Sequence, residues 1–355
     1  MSKDSKTKFI GNLLLDYGSG GQASHRLIND LFLHYFDNPI LRQMNDAAEL
    51  HLSGHLAIST DSYTVTPLEF KGGNIGSLAV HGTVNDVAML GSKVRYLSTA
   101  FILEEGLDMQ LLERIVKSMA EAAKEAEVLI VTGDTKVVPK GAVDKIFINT
   151  TGLGEIISNN PPSGSKAQAG DVVLISGTMG DHGLTIMAAR ENLPLGAALK
   201  SDSAPLNLII EELIQNIPEI HVLRDPTRGG LATTLNEITM QSSVVCKIEE
   251  SLIPVLNDVK QGCSILGLDP LYLANEGKLI CILPKQYQDK ALEIMHKHKA
   301  SQNACYIGEI FAPGNIELKR QRTLNAKAGQ VLLETPLGGT RLLSMLEGEQ
   351  LPRIC

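Results

Sequence analysis

Residues 59–91 read STDSYTVTPLEFKGGNIGSLAVHGTVNDVAMLG. The first residues belong to HLAISTDSYTV, 55–65, whose alternation and β-branched side chains predict a strand with Asp61 near its middle or end. After the glycines, Ile75, Leu78, Ala79, Val87, Ala88 and Leu90 fall near helical period, which predicts a helix over 72–90 with Gly91 as its C-terminal stop. Inside that helix Asn85-Asp86 is a polar pair among mostly apolar or small residues. Such a polar pair needs hydrogen-bond partners when buried, because an unpaired polar group is costly away from water.

Working outward, VRYLSTAFIL reads as a strand. Asp108 then caps a helix through about Ala126, with Leu112, Ile115, Val116, Met119 and Ala123 on one stripe. VLIVTGDTKVV and KIFINTTGLGEI are two further strands. On the N-terminal side the glycine cluster 18–21 precedes a helix in which Leu27, Ile28, Leu31 and Tyr35 recur at helical spacing. ISNNPPSGSKAQAGD, 157–171, is rich in Asn, Pro, Ser and Gly and marks a domain boundary. Beyond it come VVLISG as a strand, GTMGDHGLTIMAARENL as a glycine turn into a helix, and APLNLIIEELIQNI as an amphipathic helix. VLRDPTRGGLATTLNEITMQS then reads as strand, glycine turn and helix, LYLANEGKLICILP as a turn into a strand, ALEIMHKHK as a helix and ACYIGEI as a strand. Strands and helices alternate in both halves, so the class is α/β, mixed α and β.

The 355 residues allow two domains at the usual ~150 residues each. With 43% hydrophobic and 20% charged residues the chain can bury enough apolar surface to fold. A net charge of -8, 4% aromatic residues and no Trp argue against a nucleic-acid partner. Polar residues interrupt every apolar run well before the ~18 residues of a membrane span. Three leucines, Leu13–Leu15, are too few for a signal-peptide core. The five cysteines form no CxxC pair, which suits a reducing compartment, and the expected localisation is cytoplasmic. Four of them sit in or near apolar runs and read as small buried hydrophobes, whereas Cys355 is the last residue.

GxxxxGK[ST], HExxH and GxSxG are absent, and no GxGxxG follows a strand. What remains is a dispersed set of carboxylates beside small residues: Asp46 in NDAAEL, Asp61, Asp86, Asp134 in VTGDTK, and Asp225 in RDPTRGG. Taken singly, each reads as a turn former or helix cap. Together, converging from strand ends, they suit Mg²⁺, which takes hard oxygen ligands and shares them with substrate phosphates. Gly18-Ser19-Gly20-Gly21 ahead of a helix offers backbone N–H groups to a phosphate, though a linker has the same composition. Cys355 ends LEGEQLPRIC. Its own α-carboxylate raises the thiol pKa and Arg353 lowers it, so near an ordinary ~8.5 a few per cent is thiolate at neutral pH. From Glu347 the nine-residue tail reaches roughly 30 Å when extended, as a swinging arm.

GSGG at 18–21, the block at 59–91, VTGDTKVV at 131–138, RDPTRGGLATTLNE at 224–237, NEGKL at 275–279 and the terminal PRIC at 352–355 together resemble the HypE family of hydrogenase maturation factors, within the PurM-like (AIR synthase-like) ATP-binding superfamily. The resemblance implies a two-domain PurM-like fold. Residues 1–157 form an ATP-binding and dimerisation domain, 171–346 a C-terminal AIR synthase-like domain, and 347–355 a flexible tail. It implies a homodimer, ATP and Mg²⁺. A carbamoyltransferase, HypF, loads Cys355 as a thiocarboxamide, ATP drives its dehydration to a thiocyanate, and the cyano group passes to iron on a HypC–HypD complex for [NiFe]-hydrogenase. By motif match the metal falls to Asp46, Asp61, Asp86 and Asp225, and ATP to Gly18, Ser19, Gly20, Gly21, Asp61, Asn85, Asp86, Gly133, Asp134 and Thr135. Lys136 then neutralises charge on the activated oxygen or the γ-phosphate, Glu276 takes the amide proton, and Cys355 and Arg353 complete the catalytic set.

Two positions depart from the family pattern: Tyr17 stands where a His is common, and Asn45 where a second Asp is common. Selenophosphate synthetase, the nearest competing reading within the superfamily, carries its Cys or selenocysteine in the N-terminal glycine segment, and here no Cys precedes Cys246. Thiamine-monophosphate kinase and the purine-pathway synthetase account for the Asp cluster but not for the Cys-ended tail. A non-catalytic carrier, whose tail ATP merely positions, is the remaining alternative.

Overall fold

The computed structural model describes residues 10–18, 21–194, 196, 199–346 and 353–355. Two sheets organise it. The first has four strands in the order Leu56–Tyr63, Ile146–Ile156, Ser92–Glu104 and Leu129–Val138. The first two pairings are antiparallel and the last is parallel. Parallel neighbours need a crossover, and the Met109–Glu125 helix supplies it. Asp108 caps this helix by accepting from Gln110 N at 3.0 Å, and the stripe of Leu112, Ile115, Val116, Met119 and Ala123 is buried as the spacing predicts.

The Ile75–Ala88 helix is buried on every side; of its residues only Asp86 is not fully buried. Its start is fixed by Asn74, whose Oδ1 accepts from Gly76 N at 2.9 Å and Ser77 N at 3.2 Å while Ser77 Oγ accepts from Asn74 N at 3.1 Å. This reciprocal cap ends the strand-like chain and begins the helix at one residue. Leu90, which the periodicity places inward, is exposed, because the helix has stopped at Ala88.

The second sheet has seven strands in the order Thr340–Leu342, Val331–Glu334, Val245–Glu249, Cys305–Phe311, Asp171–Ile175, Ile280–Pro284 and Val222–Arg224. Asp171–Ile175 is buried at all five positions, as expected of a strand covered on both faces. Val172 and Leu174 join the core of Ile209, Ile210 and Ile294, whereas Val173 and Ile175 pack with Leu231 and Leu235. The first of these cores continues into the N-terminal sheet and its helices, so the two halves share apolar interior. Residues 157–170 contain no helix or strand.

The first helix differs from its sequence pattern. It runs Gln22–Leu27, then a π-turn over Ile28–Phe32, then Leu33–Phe36. The wider turn advances the inward face by one residue, so Leu27, Leu31, Phe32 and Phe36 are buried while Ile28 and Tyr35 are only partly so. Cys246, Cys263 and Cys281 are buried as small hydrophobes, and Cys305 is partly exposed. Among the described residues no helix is long and apolar enough to cross a membrane.

Candidate functional site

A cavity of about 650 Å³ opens between the halves. The Leu56–Tyr63 strand delivers Asp61, the Ile75–Ala88 helix delivers Asp86, and the loop after Val222–Arg224 delivers Asp225 and Arg228. Glu276 arrives from the turn before Ile280–Pro284, and the chain end contributes Arg353, Ile354 and Cys355. Four carboxylates far apart in sequence therefore meet the terminal sulfur in one chamber.

The Asp61 carboxyl lies against Asp86, and Asp86 against Asp225. Ser59 Oγ donates to Asp86 at 2.9 Å. Burial, then the neighbouring Asp86, pushes the Asp61 carboxyl up to about 7. Burial also raises Asp86, with the charge of Asp225 next, and raises Asp225. Like charges out of water favour the protonated forms, and a cation entering here reverses that preference. Among the described residues no three His, Cys, Asp or Glu side chains close around one metal ion. The set fits a magnesium ion that completes its shell with phosphate oxygens and water.

Glu276 is 4% exposed, and its Oε1 has no hydrogen-bond partner among the described residues. Burial first, then Asp225 and Asp202, pushes its carboxyl well above the usual range. Its N–H donates to Asp202 Oδ1 at 3.2 Å and its carbonyl accepts from Asn85 Nδ2 at 3.3 Å. The next residue is glycine for a steric reason: a Cβ on Gly277 would lie 2.0 Å from the Asp202 carbonyl oxygen.

The chain end lies inside the cavity. Ile354 is 5% exposed, and Cys355 packs against the core beside it. Burial, then the Glu276 carboxyl, pushes the Cys355 thiol up to about 12, while Arg228 pulls it down. The sequence assigns that favourable cation to Arg353 instead. Arg353 lines the cavity, but its guanidinium is engaged by other groups: its Nε donates to the Thr64 carbonyl at 2.8 Å, its Nη1 to Asp144 at 2.8 Å, and it lies 5.8 Å from the Phe147 ring centre. It anchors the tail rather than activating the sulfur.

The other sequence candidates separate from this chamber. Gly18, Gly133, Asp134, Thr135 and Lys136 line a second cavity of about 340 Å³ with an apolar wall that includes Phe32 and Phe101. Gly18 meets the Leu129–Val138 strand so closely that a Cβ there would lie 2.7 Å from Val137 N. Lys136 Nζ donates to both Asp134 oxygens at 2.8 and 2.6 Å, which holds the Asp134 carboxyl below the usual range. Thr135 N adds a bond at 2.9 Å. Asp46 is exposed and lines neither cavity, nor does Gly21. Ser19 and Gly20 lie outside the described residues, as does the tail over 347–352.

Asn85 is a fastening residue. Its Oδ1 accepts from Leu206 N at 2.8 Å and its Nδ2 donates to the Ala204 carbonyl at 3.1 Å, so the buried polar pair of the helix divides into one structural member and one facing the cavity. Sequence reasoning missed Arg228 and Thr64. The only signal for Arg228 was its place three residues after Asp225, in a glycine-rich turn.

Sequence-family models agree with the two halves. The N-terminal domain of AIR synthase related protein matches residues 44–156, and the C-terminal domain matches 168–321. The carbamoyl dehydratase HypE of Cupriavidus necator is 47% identical over 347 residues, covering 97% of this chain and 95% of its own. A crystal structure of the hydrogenase maturation protein HypE in complex with ATP is 62% identical, superposes with a TM-score of 0.92, and covers 97% of this chain and 100% of that one. HypE from a HypE–HypF complex is 48% identical, with a TM-score of 0.76, covering 90% and 99%. With that identity along nearly its whole length, the chain belongs to the HypE carbamoyl dehydratase family, built on the two AIR synthase related domains.

Proposed function

We propose that the protein dehydrates a carbamoyl group carried on Cys355, using ATP, and so makes the protein thiocyanate that supplies cyanide to the iron of [NiFe]-hydrogenase. The observation that carries this reading is the meeting of the terminal sulfur, Glu276 and the carboxylates Asp61, Asp86 and Asp225 in one cavity. The similarity to an ATP-bound HypE supports the nucleotide.

The chemistry balances on these residues. An amide oxygen is a poor leaving group. The carbamoyl oxygen attacks the γ-phosphorus, the bond from that phosphorus to ADP breaks, and one N–H proton is released. Loss of the second N–H proton and of phosphate from carbon leaves S–C≡N. Glu276 is placed to take that proton, as a desolvated carboxylate is a strong base once ionised. Asp61, Asp86 and Asp225 would hold the magnesium ion, which when bound neutralises charge on the phosphate oxygens and orients them. Arg228 faces the same space and offers positive charge to the leaving phosphate.

The docked thiol is protonated and enclosed, so loading takes place with the chain end out of the cavity and dehydration with it inside. A HypF-type carbamoyltransferase is the donor, in keeping with the HypE–HypF complex, and a HypC–HypD complex is the acceptor. The compartment is the cytoplasm. A second copy of the chain covers the open face of the first sheet, where Ile58 is 67% exposed and Ile102 and Leu129 are also exposed.

The deciding experiment is the mass of the C-terminal peptide after carbamoyl loading. Addition of Mg-ATP to the isolated protein should remove one water from it. A thiocarboxamide that persists would instead make the protein a carrier.

A further inference from the structure

The last three residues are gripped through their backbone. The Arg353 carbonyl accepts from Arg190 Nη2, the Ile354 carbonyl from His182 Nε2 at 2.8 Å, and a terminal oxygen of Cys355 from Thr64 N at 3.0 Å. His182 is fully buried in the Asp181–Arg190 helix and does not line the cavity. A carbonyl oxygen only accepts, so Nε2 carries the hydrogen. Nδ1 is then the acceptor for Ser201 Oγ at 2.8 Å, and Ser201 Oγ itself accepts from Ser203 N at 3.1 Å. The edge-on Phe70 ring, 5.6 Å away between centres, fixes the imidazole plane. Burial lowers the His182 pKa, which keeps the ring neutral and this tautomer in place.

The segment that orients His182 also orients Glu276. Asp202, between Ser201 and Ser203, accepts from Glu276 N at 3.2 Å. One short stretch of chain therefore fixes both the ring that holds the tail and the backbone of the residue whose carboxyl faces its sulfur.

We propose that His182 is a positioning residue: it holds the chain end by the Ile354 carbonyl, in the tautomer that Ser201 selects, and so sets the Cys355 sulfur against Glu276. The inference rests on Cys355 being the carrier. A grip on backbone leaves the Cys355 side chain free to change from thiol to thiocarboxamide to thiocyanate without altering the contacts that hold it. Ile354 supplies the apolar anchor.

The test uses the full-length protein. Alkylation of Cys355 by iodoacetamide is followed by mass spectrometry of the C-terminal peptide, alongside carbamoyl loading and ATP-dependent dehydration. His182→Ala should raise the Cys355 alkylation rate about fivefold to tenfold, the effect of losing one hydrogen bond of ordinary strength. His182→Gln, which keeps an N–H donor, should recover much of the protection, and Ile354→Ala should raise the rate as well. Loading, which also needs the chain end out of the cavity, should be as fast or faster in His182→Ala, while dehydration falls. A folded His182→Ala protein whose Cys355 alkylates at the wild-type rate overturns the proposal. Should that variant not fold, Ser201→Ala decides in the same way: a faster rate supports the grip, an unchanged one overturns it. If alkylation responds as expected but the loaded wild-type protein never loses water, the grip stands and the dehydratase reading falls.

Discussion

Glu276 combines two properties rarely found together: it is enclosed, and one of its oxygens has no partner among the described residues. A buried acceptor left open is costly, so a structural carboxylate here would have been tied down. Glu276→Gln keeps shape and removes the base. Dehydration of loaded Cys355 should fall at least about 100-fold, the usual scale of general-base catalysis, while Mg-ATP affinity by calorimetry stays within about twofold. Unchanged turnover would hand the proton to another group. His81 is enclosed in a different way. Nδ1 meets Ser203 Oγ at 2.9 Å, Nε2 has no partner among the described residues, and burial lowers its pKa from the ordinary 6.5 to about 4. Between those values the unfolded chain binds a proton that the folded chain does not, so stability falls as pH drops from 6.5 towards 4. His81→Asn removes that proton from the balance. The gap between its urea midpoints at pH 7.5 and 4.5 should be smaller than in the wild type, and an equal gap would mean the acid sensitivity lies elsewhere.

At the scale of elements, the Ile75–Ala88 helix aims Asp86 at the cavity and Asn85 at the segment before the Asn207–Asn216 helix, and its first turn is held by the Asn74–Ser77 reciprocal cap. Asn74→Ala should lower stability by about 1 kcal/mol, the usual worth of a side-chain cap. Denaturant unfolding would show this, and no loss would mean that water or a neighbour takes over the bonds. The helix itself was legible because its small and apolar residues recur at helical spacing, and Asp86 stood out as a charge among them. For its neighbour Asn85, which the motif match gives to ATP, sequence shows a buried polar group but not where its partners come from: Leu206 and Ala204 lie some 120 residues on. The π-turn at Ile28–Phe32 left no mark in the hydrophobic spacing, so the inward face of the first helix was set one residue off. In the C-terminal region the Val245–Glu249 strand, the Asn257–Leu266 helix, the hairpin of Gly314–Leu318 with Arg322–Ala326 and the Val331–Glu334 and Thr340–Leu342 strands went unread. Most are short, and their register comes from neighbours in the sheet rather than from their own pattern.

Across the whole molecule, the residues that the motifs group into one site lie around two cavities. Cys355, Glu276, Asp61, Asp86 and Asp225 share one; Lys136 and Asp134 line the other. Sequence motifs name residue types and spacing but carry no information on which copy of the chain supplies each residue. The open apolar face of the first sheet, beside the strand that bears Lys136, is where a second copy docks in the proposed homodimer. If Lys136 neutralises charge on the phosphoryl group, it then acts on the Cys355 of the other protomer. This arrangement predicts complementation. Lys136→Ala and Cys355→Ala homodimers should each be inactive in dehydration. Mixed and exchanged, they should regain activity, because in a mixed dimer one cavity receives both an intact Lys136 from one protomer and an intact Cys355 from the other. Random exchange makes half of the dimers mixed, each with one working site of two, so recovery should approach a quarter of the wild-type rate. Single-turnover dehydration after subunit exchange reads this directly. A mixture that stays inactive, with exchange confirmed by mass, would place Lys136 and Cys355 in the service of the same protomer and leave the second cavity without a part in the reaction across the interface.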